Sequence, residues 1–205
     1  MSTVLSGTGV DGAAALQGTR FSIHDVIMDD ISQKYIGGGT LFLVANAWLV
    51  NPINTMTINH ITGFPDPNGS ILTLWNKNTN PEMYGFVLTN SIVTTGRYPV
   101  WNGADGHASC AYSDVPLISL NSCFSSYTFN TNVLVAAPDH FPPSSWPTGN
   151  QFAANPDDVD FVQYAGGNGG NYELAPDSPY KNQGTDGKDL GADVAGLNQA
   201  LTGVQ

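Results

Sequence analysis

Thr55-Met-Thr-Ile-Asn-His-Ile-Thr62 carries the pattern on which the fold turns: apolar side chains alternate with polar ones through Met56 and Ile58, Asn59-His60 interrupts, and Ile61 resumes. Alternation has the period of a half-buried strand, and the interruption reads as a corner where one short strand becomes the next. The same phrase is written at Arg20-Phe-Ser-Ile-His-Asp-Val-Ile27, Phe86-Val-Leu-Thr-Asn-Ser-Ile-Val93 and Thr128-Phe-Asn-Thr-Asn-Val-Leu-Val135. Its central residues Ile23, Ile58, Leu88 and Phe129 lie 35, 30 and 41 positions apart. An approximate but uneven period predicts strands that stack while the loops between them vary in length.

Between the phrases, Thr40-Leu-Phe-Leu-Val44 and Ser70 to Trp75 are strand-like and occupy matching places in successive units. Glycines 37 to 39, Asn51-Pro-Ile-Asn54 and Gly63-Phe-Pro-Asp-Pro-Asn-Gly69 supply turn chemistry. The Leu/Asn consensus of leucine-rich repeats and the paired amphipathic helices of ankyrin or tetratricopeptide units are absent. The expected fold is all-β, a parallel β-helix whose corner residues need left-handed backbone. Asn59, Asn90 and Asn130 or Asn132 are the candidates for those corners, as Asn accepts that conformation more readily than most residues.

Composition agrees. Of 205 residues only 11% are charged, while 23 Gly and 13 Pro are scattered as many short strands and turns require. A formal net charge of -11, from 6 Lys+Arg against 17 Asp+Glu, excludes a nucleic-acid partner, which needs a basic stripe. No apolar run approaches the roughly 20 residues of a transmembrane helix, so no membrane partner is expected. Cys110 and Cys123 suit one disulfide or two buried thiols. We expect one domain over 1–205, with an irregular or frayed coil at 1–19, stacked coils at 20–175 and a closing segment with a ragged tail at 176–205. Strand-like text beginning at Met1-Ser-Thr-Val suggests that an export signal lies upstream.

The segment Ser178-Pro-Tyr-Lys-Asn-Gln-Gly-Thr-Asp-Gly-Lys-Asp-Leu-Gly-Ala-Asp193 resembles the closing segment of secreted right-handed parallel β-helix proteins of the pectate-lyase-like superfamily. With the four phrases, the resemblance covers about residues 20 to 194. It implies a right-handed β-helix, an extracellular location and a polysaccharide or oligosaccharide partner. That superfamily holds lyases, glycoside hydrolases, carbohydrate esterases and non-catalytic proteins, so the fold alone fixes no reaction.

Chemistry is expected in two places. With the first two phrases in register, Asp25 stacks against His60 about 4.8 Å away, a pairing that could orient the imidazole as a general base. The long stretch from Thr95 to Asp114 carries Arg97 and His107 as further catalytic candidates, with Tyr98, Trp101 and Asp105, and Trp75 nearby, as substrate-binding ones. Asp29-Asp30 supplies paired carboxylates, but adjacent strand residues point to opposite faces. Asp157, Asp158 and Asp160, or Asp186, Asp189 and Asp193, could offer oxygen ligands to calcium, the one cofactor the sequence admits; no zinc spacing occurs.

Three functions follow from these readings: a polysaccharide lyase or hydrolase, a non-catalytic binding or structural module, or a truncated coil with weak esterase-type hydrolase activity. An uncapped N-terminal coil end would also favour a homodimer.

Overall fold

A computed structural model of the chain describes residues 3–6, 18–35, 37–46, 52–103 and 106–203. Its strands in order are β1 (Thr3–Ser6), β2 (Thr19–Met28), β3 (Phe42–Ala45), β4 (Asn54–Gly63), β5 (Leu72–Trp75), β6 (Met83–Thr89), β7 (Ile92–Thr94) and β8 (Val100–Asn102). They continue with β9 (Phe124–Asn130), β10 (Val133–Val135), β11 (Gln151–Ala153), β12 (Phe161–Gln163) and β13 (Asn171–Leu174). The helices are α1 (Pro116–Cys123) and α2 (Val194–Leu201), and no described helix is long and apolar enough to cross a membrane.

One parallel sheet runs β1-β3-β5-β8. A second, curled and also parallel, stacks β2, β4, β6 and β9 on one side of the corner, and β4, β7, β10 and β11 on the other. Hence the fold is mostly β, with a curled parallel sheet and few helices. β12 and β13 pair antiparallel, and their Phe161, Tyr172 and Leu174 cluster with Ile92, Val133 and Val135 of β7 and β10.

The alternation in the phrases dictates these sheets. Ile23, Ile58, Leu88 and Phe129 fall on one register line and point inward, as do Phe42, Leu72 and Val100 from the opposite sheet. Each such side chain, removed from water, contributes roughly 1.5–3 kcal/mol. Phe64, Phe161, Tyr164 and Tyr172 form a second apolar cluster beneath the β12–β13 hairpin. There burial, reinforced by Asp29, pushes the Tyr172 hydroxyl up to about 12.

The corner is one left-handed residue per passage: Asp25 (φ 51), His60 (φ 51), Asn90 (φ 54) and Thr131 (φ 55). Of the asparagines expected there, only Asn90 turns. Asn59 and Asn130 precede the corner, and Asn132 follows it as part of a buried ladder that satisfies backbone groups where the strands break. Ile61 N donates to Ser91 Oγ (3.1 Å), Ser91 N to Asn132 Oδ1 (3.0 Å) and Asn132 N to Asn150 Oδ1 (3.2 Å). These bonds offset a strain of roughly 1–2 kcal/mol at each left-handed residue bearing a Cβ.

Three other expectations are corrected. The segment 1–19 is not wholly irregular, because Thr3–Ser6 pairs with Phe42–Ala45. The stretch 95–114 is not all loop, since Val100–Asn102 completes the first sheet. The tail is not ragged at its start: Asp193 Oδ1 accepts from Gly196 N at 2.8 Å and caps α2.

Candidate functional site

The outward face of the β1-β3-β5-β8 sheet is built by the same alternation that fills the core. Val100 and Asn102 turn inward, so Trp101 between them turns outward beside Thr73, its register partner. Gly39, Gly69 and Gly96 let the loops feeding this face stack closely. A Cβ at Gly69 would collide with the Gly39 carbonyl, and one at Gly96, whose φ is +66, with the Gly69 carbonyl. Tyr98 N donates to Gly69 O at 3.1 Å and so holds its ring at the rim.

The aromatic side chains there form a strip. Tyr98 and Trp101 have ring centroids 5.6 Å apart, Trp101 and Tyr112 6.3 Å, and Tyr112 and His107 4.4 Å. Tyr98 is 36% exposed and Tyr112 58%. The Cys110–Cys123 disulfide, which decides between the two states the sequence left open, anchors the segment that carries Tyr112. A Cβ at Gly103 would strike the Trp101 indole nitrogen, so that glycine makes room for the ring.

Tyr98 and Trp101 line a cavity of ≈ 470 Å³ together with Gln33, Asn68, Ser70 and Thr73. Ser70 and Thr73 in its lining close a hydroxyl triangle with the buried Thr40 behind them: Thr40 to Ser70 2.8 Å, Ser70 to Thr73 2.8 Å and Thr73 to Thr40 3.1 Å. Three hydroxyls that share their protons this way keep lone pairs free to accept more. Both loops at the mouth hang on Asp66, whose carboxylate accepts from Gln33 N and Asn68 N at 2.9 Å each. Ring faces beside fixed amides and hydroxyls can hold a sugar, whose C–H face packs on an aromatic ring while its hydroxyls bond at the edge.

The other sequence candidates lie elsewhere. Arg97 is exposed, with its guanidinium carbon 5.4 Å from the Tyr98 ring centroid, and it lines a separate cavity of ≈ 630 Å³ with Asp30, His140 and Tyr164. His107 is a neighbour of Tyr112 and does not line the Arg97 cavity. Trp75 is 42% exposed at the end of β5, two residues beyond Thr73. Asp105 lies outside the described residues.

Asp25 and His60 do stack as corner residues, in the expected register of His24 with Asn59 and Val26 with Ile61. Their side chains, however, take other partners. His60 is buried, with Nδ1 3.0 Å from Gly191 O and Nε2 3.0 Å from the Asp186 carboxylate. Both ring nitrogens therefore lie against partners from the chain's own closing segment. Asp25 accepts from the His24 ring at 3.0 Å and from Asp193 N at 3.3 Å. Partial burial works to raise its pKa, yet these bonds and the nearby His60 outweigh it and hold the carboxyl below its ordinary 3.8. Asp186 is likewise held below 3.8: some desolvation acts upward, while Lys188 N and His60 act downward more strongly.

Asn90 extends this clamp, donating to Thr185 Oγ1 and accepting from Thr185 N, both at 2.9 Å. Asp186 and Thr185 are therefore what sequence reasoning missed as partners of the corner column. The signal available for them was the Gly184-Thr-Asp-Gly187 turn, and nothing in its spacing names His60. Asp29 and Asp30 are also structural: Asp29 accepts from Gly169 N (2.9 Å) and Tyr172 Oη (3.1 Å), and Asp30 from Asn168 Nδ2 (3.3 Å). Among the described residues, no group of three or more His, Cys, Asp or Glu side chains could hold a metal ion. No family model, curated protein or solved structure matches this chain.

Proposed function

We propose that this chain is a right-handed parallel β-helix of a secreted protein, and that the Tyr98–Trp101 groove binds an extracellular polysaccharide without cleaving it. The observation that carries the reading is the Tyr98–Trp101 pair itself, partly exposed, 5.6 Å apart and set over Ser70, Thr73, Gln33 and Asn68 in one cavity. The resemblance of residues 178–193 to a β-helix closing segment supports the fold, as do the parallel registers and the column of left-handed corners. The disulfide supports an oxidising, extracellular setting. Binding without cleavage is supported by His60, whose two nitrogens are already engaged.

The test is affinity electrophoresis in gels containing xylan, mannan, β-glucan or polygalacturonate, followed by calorimetry on whichever polymer retards the protein. Retardation that disappears in Trp101→Ala supports the reading. Release of new reducing ends or of unsaturated uronate from any polymer would replace it with a hydrolase or lyase.

A further inference from the structure

We infer that the glycan held at Tyr98 and Trp101 continues past Arg97 into the larger cavity, so that the ligand is an extended stretch of chain and not a single terminal sugar. This rests on the glycan-binding reading above. Asn68 lines both the ≈ 470 Å³ and the ≈ 630 Å³ cavities. The neighbours Tyr98 and Arg97 divide between them, Tyr98 on the first and Arg97 on the second, with the guanidinium 5.4 Å from the ring centroid. Arg97, with its guanidinium over the Tyr98 ring, thus stands where the linings of the two spaces adjoin, and the cation–ring contact holds both side chains there.

The second cavity offers groups that suit a polyol. Arg97, Asp30, His140 and Tyr164 surround it, a set that can both donate and accept charge-assisted hydrogen bonds. Burial, and to a lesser degree Asp157, pushes the Tyr164 hydroxyl upward, which keeps it a donor through the neutral range. The walls are also held in place. The turn at Gly167 and Asn168 is fixed by Asp30 N donating to Gly167 O (2.9 Å) and by the Asp29 and Asp30 carboxylates. On the other side the Asp66 carboxylate holds the Asn68 loop. A site formed before its ligand arrives loses less affinity to ordering, so contacts in the second cavity add to those in the first.

The experiment is calorimetry with a ladder of oligosaccharides, dimer to hexamer, cut from the polymer that the intact protein binds best. Affinity should climb by about tenfold or more between the shortest and longest members, the size of one added charge-assisted contact set. Arg97→Ala should shrink that gain, weakening the hexamer more than the dimer, and Arg97→Lys, which keeps the charge but not the planar fork, should recover only part of it. Circular dichroism melts confirm that each variant is folded before it is titrated. Binding with no dependence on length, or Arg97→Ala weakening dimer and hexamer equally, overturns the extension while leaving the aromatic groove intact. Failure of every member and of the parent polymer to bind overturns the groove itself.

Discussion

The Tyr98–Trp101 face and the His60–Asp186 corner use similar residues to opposite ends. At the corner, each ring nitrogen of His60 and the amide of Asn90 has its partner within the chain, supplied by a segment more than 90 positions away in sequence. At the sheet face the hydroxyls bond mainly to one another, and the rings beside them are exposed at Tyr98 and Tyr112 and half-buried at Trp101. The first arrangement closes a structure; the second leaves one available. A titratable residue on a repeated corner is thus no sign of chemistry until its partners are known, and here the reactive-looking residues are the occupied ones.

The strongest way to break the contrast is to remove the disulfide. Replacing both Cys110 and Cys123 by Ser should cost about 3 kcal/mol of stability, the loop-closure value for a separation of this size. Because Tyr112 rides on that loop, the same variant should also weaken glycan binding; denaturant unfolding and calorimetry read the two effects separately.

His60→Ala should cost roughly 2–3 kcal/mol, since it strands Gly191 O and leaves a cavity at a buried position. It should speed proteolysis of residues 178–203 while leaving affinity for the polymer within twofold or so of the parent. Loss of binding with retained protease resistance would reverse the roles assigned to the two regions.

Trp101→Ala should have the opposite profile, losing about 2 kcal/mol of binding, near thirtyfold, with a melting temperature close to that of the parent.

The smallest expected effect is with pH. Asp25 and Asp186 have folded pKa values below their ordinary 3.8, so their contribution to stability is fully present above that pH and is lost as the pH falls through the lower folded values. Thermal melts at descending pH should show the decline beginning below pH 3.8, and Asp186→Asn should flatten it.

How much of this the sequence discloses depends on how far apart the interacting residues lie. Stacking of the phrases was legible, because alternation at Met56 and Ile58 recurs with matching corners and sets the register by itself. The left-handed position was legible only to within one residue, since Asn59, His60 and their equivalents all fit a polar interruption and only the backbone decides which turns. Strand Val100–Asn102 was hidden because three residues show no period. A second ladder, Asn46, Asn76 and Asn102, fully buried, with Asn46 Nδ2 3.0 Å from Asn76 Oδ1, passed unnoticed although each follows an apolar residue and one spacer. The partner of His60 could not be read at all: Asp186 lies 126 positions away, and no local pattern couples them. Trp101 was singled out as a substrate-binding aromatic, while its outward direction and its neighbours Ser70, Thr73 and Gln33 became visible only with the sheet order.

One titration separates the aromatic face from the corner. The intact protein, Trp101→Ala and His60→Ala are each titrated by calorimetry with the polysaccharide that most retards the parent. The parent and His60→Ala should bind alike, and Trp101→Ala at least tenfold more weakly. Equal affinity of the parent and Trp101→Ala, or no affinity of the parent for any of the polymers, would contradict glycan binding at the Tyr98–Trp101 face.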